Sequence, residues 1–554
     1  MEKQRLLILS IVTTLVFIGQ PHRVAAFDMT QQDRTKVLYS NQFNFDEDGQ
    51  PTVSVRISEG QDQIQLRSQF GFRFMPAGRK GSQTTVTGGG QWTFKVSNGK
   101  PAQVRRWLSL AVLKATEFRE IRELHQKIKE QGHSLTVSQF EAGSVIGVRG
   151  TTLDTRRIRL ALGPFTTAEQ LESTKKLIQE RWAYPLETYI ELLEPARGTI
   201  VATNQAGVTL KVPDVLWLEG LKEKPIVCDR LVWGQGTPKS GTERRSYDGR
   251  LYLTVGQDGK LAMVNLLSAE RLLKGVVPSE LYTSAPLEAL KAQAVAARGQ
   301  LLAKIGTRHL ADPYHLCAET HCQVYTGRGR MHRRTNAAVE QTSGQLLFDN
   351  QGLVDTTYSS TCGGHSETFE NVWGGAAKNA HPGFFDRANQ EYPSSIKAND
   401  LKHFIDTPPP AYCKASGSRA KTFRWTKTVS TKRVTGGVAK HKDIGTVYAL
   451  TVLKRGQSGR ALDIEYFGTK GRILIEGEYT NRKVLGNLKS GLWYRLTKNG
   501  TKDKPPAKWM FKGAGFGHGV GLCQHGAMGM AKSGIGWQAI LFHYYKGSKL
   551  RSLW

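Results

Sequence analysis

The sequence predicts an α+β fold distributed over several domains. With 554 residues, the chain is long enough for two to four folding units of ordinary size. Apolar residues alternate over short runs such as Val53, Val55 and Ile57, which is typical of strands. In the stretch 286–301, apolar residues instead recur every three or four positions, which is typical of a helix. The chain therefore carries both kinds of element and enough length for more than one core.

The first segment, residues 1–26, has the pattern of a secretory signal peptide. Lys3 and Arg5 precede an uncharged apolar run from Leu6 to Gly19, and small residues end the segment at Ala26. No later stretch approaches the ~20 apolar residues that a membrane span needs. We expect an exported protein, in the periplasm, the cell envelope or the extracellular space, with an uncleaved N-terminal anchor as the alternative.

The rest of the N-terminal half divides into three predicted regions. Residues 27–100 and 194–243 consist of strand-like runs and turns. Between them, residues 101–193 are expected to form a helix over 101–131 and then a small αβ module. In that module a strand, Arg157–Phe165, ends at a Gly-Pro-Phe turn and is followed by a helix. This order resembles the end of a SPOR domain, a module known for binding peptide-free glycan strands, although other αβ modules of this size share the pattern.

The chain is strongly basic. It has 77 Lys and Arg against 47 Asp and Glu, which gives a formal net charge of +30 and favours an extended acidic partner. Nucleic acid is the generic partner of a basic protein, but aromatic residues that could stack on single strands are not concentrated anywhere, so no nucleic acid is expected. For an exported protein, peptidoglycan glycan strands are the better candidate, because strands without stem peptides keep their lactyl carboxylates. Solvation of the surface is the plain alternative.

Glu280 is the strongest candidate for chemistry. We expect a loop here, stiffened by Pro278, that holds Glu280 among the apolar side chains of Val276 and Val277. Apolar surroundings raise the pKa of a carboxyl group and keep a proton on it, so that it can act as a general acid. The alternative is an ordinary surface glutamate that caps a helix or forms an ion pair. The helix that follows from Pro286 is rich in alanine, which lets neighbouring elements pack close to it.

Three long motifs, in this order, resemble the SpoIID/LytB family. They are the segment from Val276 to Glu280 with the helix 289–298, the segment His321–Gly327, and the glycine-rich segment Gly515–Ala527. The resemblance spans roughly 244–550 and implies a β-rich domain over that range. It also implies one of two activities. The first is a lytic transglycosylase that cleaves glycan strands with Glu280 as acid and base and leaves 1,6-anhydro-muramic ends; the second is a non-catalytic enhancer that binds and activates an N-acetylmuramoyl-L-alanine amidase.

The same resemblance suggests residues that contact the substrate. They are small or polar residues of these motifs and of a further Ser-rich, Gly-Gly block: Ser279, Ser359, Gly363, Gly364, His518 and Gln524. For His518, a buried and hydrogen-bonded histidine is the alternative. Cys523 departs from the serine usual at its position in the family, which leaves the hydrogen-bonding role of that position open.

A metal site is expected at the central motif. Cys317 and Cys322 bracket His321, and either His309 or His315 supplies a second imidazole. Two thiolates and two imidazoles complete a tetrahedral zinc shell and leave no open position for catalysis. The family resemblance implies such a structural zinc, with His309 at the better-matching position.

Other chemistries are less well supported. Because the chain has six cysteines, a Cys317–Cys322 or Cys322–Cys362 disulfide is the alternative to zinc in an oxidising compartment. No Gly-x-Ser-x-Gly elbow and no His-Glu-x-x-His helix occurs, so neither a serine hydrolase nor a zinc peptidase is expected. The glycines over 513–526 spread across too many turns for one phosphate-binding loop, so we expect no organic cofactor.

Overall fold

The computed structural model describes residues 35, 37–40, 43–76, 83–130, 135–179, 186–233, 241–319, 321–375, 377–387, 394–415 and 420–554. These residues form a multidomain α+β protein with several separate sheets. The predicted signal peptide, residues 1–26, lies outside the described residues. Among the helices that are described, none is long and apolar enough to cross a membrane.

The α-helices of the described residues lie mainly in the second half of the chain. In chain order they are α1 Phe118–Glu130, α2 Ala168–Gln179, α3 Ala269–Glu280, α4 Leu287–Lys304, α5 Arg333–Glu340, α6 Phe369–Trp373, α7 Leu401–Asp406, α8 Tyr412–Ala415, α9 Ala420–Phe423, α10 Thr431–Val438, α11 Glu478–Val484, α12 Gln524–Lys532 and α13 Trp537–Tyr544. Of these, α3, α4 and α12 position the candidate site.

Two large, mainly antiparallel sheets form the body of the chain. The first has, from edge to edge, Asn44–Phe45, Pro51–Gln61, Leu261–Ser268, Arg250–Val255, Val215–Gly220, Gly71–Met75 and Thr84–Thr87, with Leu316–Cys317 in parallel beside Pro51–Gln61. The second has Thr209–Pro213, Arg197–Asn204, Gln91–Lys100, Ile64–Arg67, Ile226–Trp233 and Gly241–Tyr247. Phe74 of the first sheet meets Trp92 of the second with ring centroids 4.9 Å apart, and one hydrophobic core joins the two sheets.

The remaining described strands form smaller sheets. They are Glu187–Glu194, Gln103–Lys114, Arg157–Phe165 and Thr136–Ala142; Val145–Val148 with Thr151–Asp154; Gly352–Leu353, Gln345–Asp349 and Lys549–Ser552; Tyr358–Ser359 with Leu522–Cys523; Arg424–Ser430, Lys508–Ala514 and Trp493–Arg495; and Val447–Arg455, Ala461–Gly468 and Gly471–Ile475. The last two of these sheets enclose a second core around Trp425, Trp493 and Trp509.

The first large sheet connects distant parts of the chain. Val55 of strand Pro51–Gln61 lies opposite Asn265 of strand Leu261–Ser268. The N-terminal region 27–100 and the region that begins at 244 therefore share one sheet and one core. The boundaries proposed for these regions from the sequence stay a prediction.

Residues 103–194 form an αβ module that is inserted into the second large sheet. The module follows strand Gln91–Lys100 and precedes strand Arg197–Asn204, and these two strands pair with each other. Its own sheet has its strands in the order fourth, first, third and second along the chain, with α1 and α2 as connections, which is the split βαβ arrangement. Its likeness to a SPOR domain stays a prediction.

The helix expected over 101–131 is wrong in its first half. Residues Gln103–Lys114 form a strand, and only Phe118–Glu130 is helical. The strand has neighbours on both sides and buries the continuous run 107–111. A strand covered on both faces carries an apolar run without alternation, and periodicity alone does not distinguish such a run from a buried helix.

The loop expected around Glu280 is also wrong. Glu280 is the last residue of α3, and Pro278 lies inside the final turn of that helix. Ser268 caps the first turn by accepting a hydrogen bond from the N–H of Arg271 at 3.4 Å. The apolar face of α3 is buried, and this packing outweighs the hydrogen bond that a proline removes.

Helix α4 is the central support of the C-terminal half. Of its 18 residues, 13 are buried, and it packs against α3, α5, α12 and α13. A Cβ atom on Gly299 would lie 2.3 Å from Oγ1 of Thr356, so this close approach requires glycine. The alanine-rich helix predicted from the sequence is confirmed, but it is enclosed on nearly all sides rather than along one face.

Candidate active site

Glu280 lies at the end of α3 and is partly buried. The pKa of its carboxyl group is raised above the ordinary value, because burial disfavours the charged form. Three contacts act in the opposite direction: a hydrogen bond with the backbone of Val324, the positive charge of Lys304, and a hydrogen bond with the hydroxyl group of Tyr358. The effect of burial on the pKa is larger than the combined effect of these three contacts. The carboxyl group is thus both held by polar neighbours and favoured in its protonated form.

Gln524, the first residue of α12, fixes the backbone at Glu280. Its Nε2 donates a hydrogen bond to the carbonyl oxygen of Glu280 at 3.0 Å and lies 3.3 Å from Oε1 of Gln293 on α4. Gln293 has no exposed surface, and Gln524 is 8% exposed. Gln524, expected to face the substrate, therefore joins α12, α4 and the end of α3 in this structure.

The four predicted metal ligands come together beside this site. One donor atom from each of His309, Cys317, His321 and Cys322 lies within 4.8 Å of all the others. The Sγ atom of Cys322 is 3.4 Å from Nε2 of His309 and 3.5 Å from Nδ1 of His321, while Sγ of Cys317 is 3.7 Å from the same Nδ1. A tetrahedral zinc ion with Zn–S ~2.3 Å and Zn–N ~2.0 Å separates its sulfur and nitrogen ligands by ~3.5 Å. The donor set fits such an ion.

The orientation of His309 fits the same arrangement. Its Nδ1 lies 2.8 Å from a carboxylate oxygen of Asp312, which turns Nε2 toward the sulfur atoms. Carboxylates commonly orient metal-binding histidines in this way. His315, the other candidate, lies elsewhere: its Nδ1 accepts a hydrogen bond from the N–H of Ser54 at 3.4 Å. No disulfide joins any of the six cysteines, all of which lie in the described part of the chain.

A short segment connects the metal cluster to Glu280. Lys304 donates from Nζ to the carbonyl oxygen of Cys322, and two residues later the backbone of Val324 bonds to the Glu280 carboxyl group. Gln323 between them donates from Nε2 to the carbonyl oxygen of Ala297 on α4 at 2.9 Å. A constraint on the position of Cys322 therefore also restricts the position of Val324, whose backbone bonds to the Glu280 carboxyl group.

The other predicted contact residues serve the protein's own structure here. Ser279 donates from Oγ to the carbonyl oxygen of Gly275 at 3.0 Å. His518 accepts from the N–H of Val520 at Nδ1 and contacts the carbonyl oxygen of Tyr358 through Nε2, each at 3.0 Å. Burial lowers the pKa of His518 to about 3, so this ring is neutral at ordinary pH. Their predicted roles in substrate binding stay predictions.

Ser359 lies in the short strand Tyr358–Ser359, and Gly363 and Gly364 lie in the turn that follows it. The Oγ atom of Ser359 is buried and has no hydrogen-bond partner among the described residues. Gly363 has a φ of 80°, and a Cβ atom there would lie 2.8 Å from the backbone nitrogen of Gly515. Gly364 has a φ of 107°. Gly363 is thus required for a close approach between backbones, Gly364 has a backbone conformation that favours glycine, and Ser359 keeps an unused polar atom.

A cleft of about 640 Å³ lies between the inserted module and the C-terminal half. Basic residues from both sides line it, among them Arg157 and Arg159 of the module and Lys304 and Arg308 of the C-terminal half. Lys304 is also the charged neighbour of Glu280, so the cleft and the carboxyl group share one residue. The ring of Trp373 forms part of the wall.

Sequence reasoning missed several residues of the site. Glu280 has three neighbours from different segments of the chain: Tyr358, Lys304 and Val324. No local sequence pattern around these residues indicates that they lie near Glu280. Asp312 is different, because a carboxylate three residues after His309 is a local pattern that could have indicated a metal-orienting pair.

Most of the candidate site lies in a stretch of the chain that matches a known family model. Residues 257–348 match the family model described as stage II sporulation protein SpoIID. A second model, described as a domain of unknown function, DUF8618, matches residues 367–521. The resemblance to the SpoIID/LytB family is confirmed, and the chain carries a SpoIID domain that includes α3, α4 and the metal cluster.

Relatives cover much of the chain. An uncharacterized protein of Brachyspira hyodysenteriae is 28% identical over 366 residues, which are 66% of this chain and 86% of that protein. The amidase enhancer of Bacillus subtilis is 30% identical over 296 residues, 50% of this chain but only 40% of that protein. Stage II sporulation protein D of Bacillus subtilis is 26% identical over 315 residues, 54% of this chain and 78% of that protein.

Proposed function

We propose that this protein is an exported peptidoglycan-remodelling enzyme, a lytic transglycosylase that cleaves glycan strands stripped of their stem peptides. The similarity to an amidase enhancer and to stage II sporulation protein D supports a role on peptidoglycan. The observation that carries the catalytic proposal is the raised pKa of Glu280, a carboxyl group held by Tyr358 and Val324.

Glu280 supplies both proton transfers of this reaction. Its carboxyl group protonates the oxygen of the glycosidic bond as that bond breaks, and the C6 hydroxyl group of the same muramic acid attacks the anomeric carbon. The carboxylate then takes the proton from that hydroxyl group, so the product has a 1,6-anhydro ring and no water is consumed. A second carboxylate nucleophile, which ordinary retaining glycosidases need, has no role in this reaction.

The cleft, which both basic and acidic side chains line, is the proposed binding surface for the strand. Arg157, Arg159 and Arg308 would meet the lactyl carboxylates, and Trp373 offers a flat apolar face to a sugar ring. The inserted module would then hold the strand from one side while the SpoIID domain holds it from the other. Its predicted likeness to a glycan-binding SPOR domain agrees with this arrangement.

We assign a structural zinc ion to His309, Cys317, His321 and Cys322. With four protein ligands, the ion would have no open coordination position. It would therefore stabilise the structure and take no part in the reaction. This stabilisation would reach Glu280 through Cys322 and the backbone of Val324. A folded chain purified without added metal that contains no zinc would contradict this assignment.

A second candidate function rests on the similarity to the amidase enhancer. In that function the protein would bind and activate an N-acetylmuramoyl-L-alanine amidase, and the carboxyl group of Glu280 would only support α3.

Mass spectrometry of purified glycan strands separates the two functions. Peptide-free strands are incubated with the protein alone, and peptide-bearing strands are incubated with an amidase in the presence and absence of the protein. We expect shorter strands with 1,6-anhydro ends from the protein alone. Strands of unchanged length, together with faster release of peptides by the amidase, would favour the enhancer.

A further inference from the structure

A second cluster of metal-binding side chains lies in the interior of the C-terminal half. Cys362, Cys413, Cys523 and Asp386 each direct one donor atom to a common point, and these atoms all lie within 4.8 Å of one another. All four residues are buried, and Asp386 has no exposed surface. The cluster is separate from the four ligands near Glu280.

The distances in this cluster match those of ligands around one tetrahedral ion. The Sγ atoms of Cys362 and Cys413 are 3.7 Å apart, and Sγ of Cys362 is 3.4 Å from Oδ2 of Asp386. With Zn–S ~2.3 Å and Zn–O ~2.0 Å, tetrahedral geometry places two sulfur ligands ~3.8 Å apart and a sulfur and an oxygen ligand ~3.5 Å apart. A disulfide requires sulfur atoms ~2.05 Å apart, which is much shorter than the observed separation.

The surroundings of Asp386 resemble those of a ligating carboxylate. Its Oδ1 accepts a hydrogen bond from the hydroxyl group of Tyr544 at 2.7 Å and lies 3.3 Å from Nε2 of His543. Oδ2 lies on the side of the sulfur atoms, where it also accepts a hydrogen bond from the N–H of Cys413 at 3.3 Å. Outer hydrogen bonds of this kind orient the carboxylate ligands of metal ions. The site also needs Gly526, because a Cβ atom there would lie 2.8 Å from Oδ2 of Asp386.

The sulfur atom of Cys523 has neighbours that favour a thiolate. Sγ of Cys523 accepts hydrogen bonds from the N–H groups of Cys362 at 3.2 Å and Gly526 at 3.3 Å. Cys523 also caps the start of α12, where the helix dipole favours negative charge. The guanidinium group of Arg424 is buried and interacts electrostatically with Cys413 and Cys362.

We propose that Cys362, Cys413, Cys523 and Asp386 bind a second zinc ion. Three thiolates and one carboxylate give a closed, four-coordinate site, so the ion would be structural. It would join four segments that are far apart in the sequence. One of them is the start of α12, whose first residue, Gln524, holds the carbonyl oxygen of Glu280.

Zinc analysis of the full chain and of four variants tests this proposal. The variants are Cys317→Ser with Cys322→Ser, which removes the first site; Cys362→Ser and Asp386→Asn, which each alter the second; and Cys228→Ser, a buried cysteine outside both clusters. We expect about two zinc ions per chain in the wild type and in the Cys228 variant, and about one in the Cys317/Cys322 variant. Combining that pair with Cys362→Ser should leave none, with folding followed by circular dichroism.

Cobalt substitution and thiol titration keep the test independent of variants that fail to fold. In the Cys317/Cys322 variant, bound Co²⁺ should give the intense sulfur-to-metal absorption of a thiolate site, and Asp386→Asn should change this spectrum. A folded Cys317/Cys322 variant that retains no metal would overturn the proposal. So would a titration of the unreduced, denatured Cys317/Cys322 variant that finds two thiols rather than all four that remain, because this would reveal a disulfide that involves the second cluster.

Discussion

Helix α3 carries one glutamate in its first turn, Glu270, and one at its last position, Glu280. The carboxylate of Glu270 accepts hydrogen bonds from Nε of Arg298 at 2.8 Å and from Nη2 at 2.7 Å. It also accepts from the N–H of Gly344 at 3.1 Å and from the indole of Trp554 at 3.0 Å. Glu280 instead has a raised pKa, because burial outweighs the contacts that favour its charge. The carboxylate of Glu270 is thus paired with a buried guanidinium group, whereas the carboxyl group of Glu280 favours its protonated form.

The difference follows from position rather than from residue type. Burial disfavours the charged form of Glu280, and the C-terminal end of a helix disfavours negative charge as well. The bidentate pair with Arg298 gives Glu270 a structural role, since a buried charge needs a partner. The comparison teaches that the same side chain at two ends of one helix can stabilise the fold at one end and provide reactivity at the other.

The largest effect is expected from Glu280→Gln. Glutamine keeps the size of the side chain but has no proton to donate, so strand cleavage should fall by ~10²–10⁴-fold. At neutral pH the variant should be at least as stable as the wild type, because it removes a carboxylate whose raised pKa costs stability as the pH rises through it. Cleavage assays and thermal unfolding measure the two quantities.

A surface glutamate provides the control for this variant. Glu340 is 60% exposed and pairs with Lys274 of α3 at 2.7 Å. Glu340→Gln should leave the cleavage rate unchanged and should lower the free energy of unfolding only by the small amount that a surface ion pair contributes. Full activity in a folded Glu280→Gln protein would show that Glu280 is not the general acid.

The opposite outcome is expected for Glu270→Gln. This change leaves the buried guanidinium group of Arg298 without its counter-charge, which typically costs ~3–5 kcal/mol of stability. Urea unfolding measures the loss. Adding Arg298→Met should restore part of it, because the unpaired charge is then removed as well. A Glu270→Gln protein as stable as the wild type would break the contrast between the two glutamates.

A smaller effect is expected from Gln524→Ala, which sharpens the comparison by testing what holds Glu280 in place. The change removes the hydrogen bond to the carbonyl oxygen of Glu280, and one such bond contributes ~0.5–1.5 kcal/mol. The maximal rate should therefore fall by up to about tenfold, while the affinity for strands and the pH dependence stay the same. Weaker binding with an unchanged maximal rate would instead return Gln524 to the predicted role of a substrate contact.

The candidate site could be predicted from the sequence where its residues are close together in the chain. His309, Cys317, His321 and Cys322 fall within one short stretch, and Glu280 precedes a regular helix, so local patterns pointed to both. The second cluster brings together four separate segments, and Asp386 and Cys413 carry no local signal. Only the tertiary structure gives their proximity.

The fold was predictable to a similar extent. Alternating runs indicated the strands of the body, and the alanine-rich pattern indicated α4. The central strand Gln103–Lys114 was mistaken for a helix because both of its faces are covered. The end of α3 was mistaken for a loop because Pro278 disfavours a helix in the local sequence. The burial of the apolar face of α3 stabilises the helix, but it depends on tertiary contacts that the local sequence does not show.

The pH dependence of strand cleavage by the wild type tests the central role of Glu280 most directly. Only the protonated carboxyl group can start the reaction, and burial raises its pKa, so the protonated form persists above the ordinary range of a glutamate. We predict a rate that is level below this raised pKa and falls by about tenfold per pH unit above it, with no such fall in the residual activity of Glu280→Gln. A wild-type rate that rises through the same pH range, or one that Glu280→Gln reproduces, would contradict the proposal that Glu280 donates the proton.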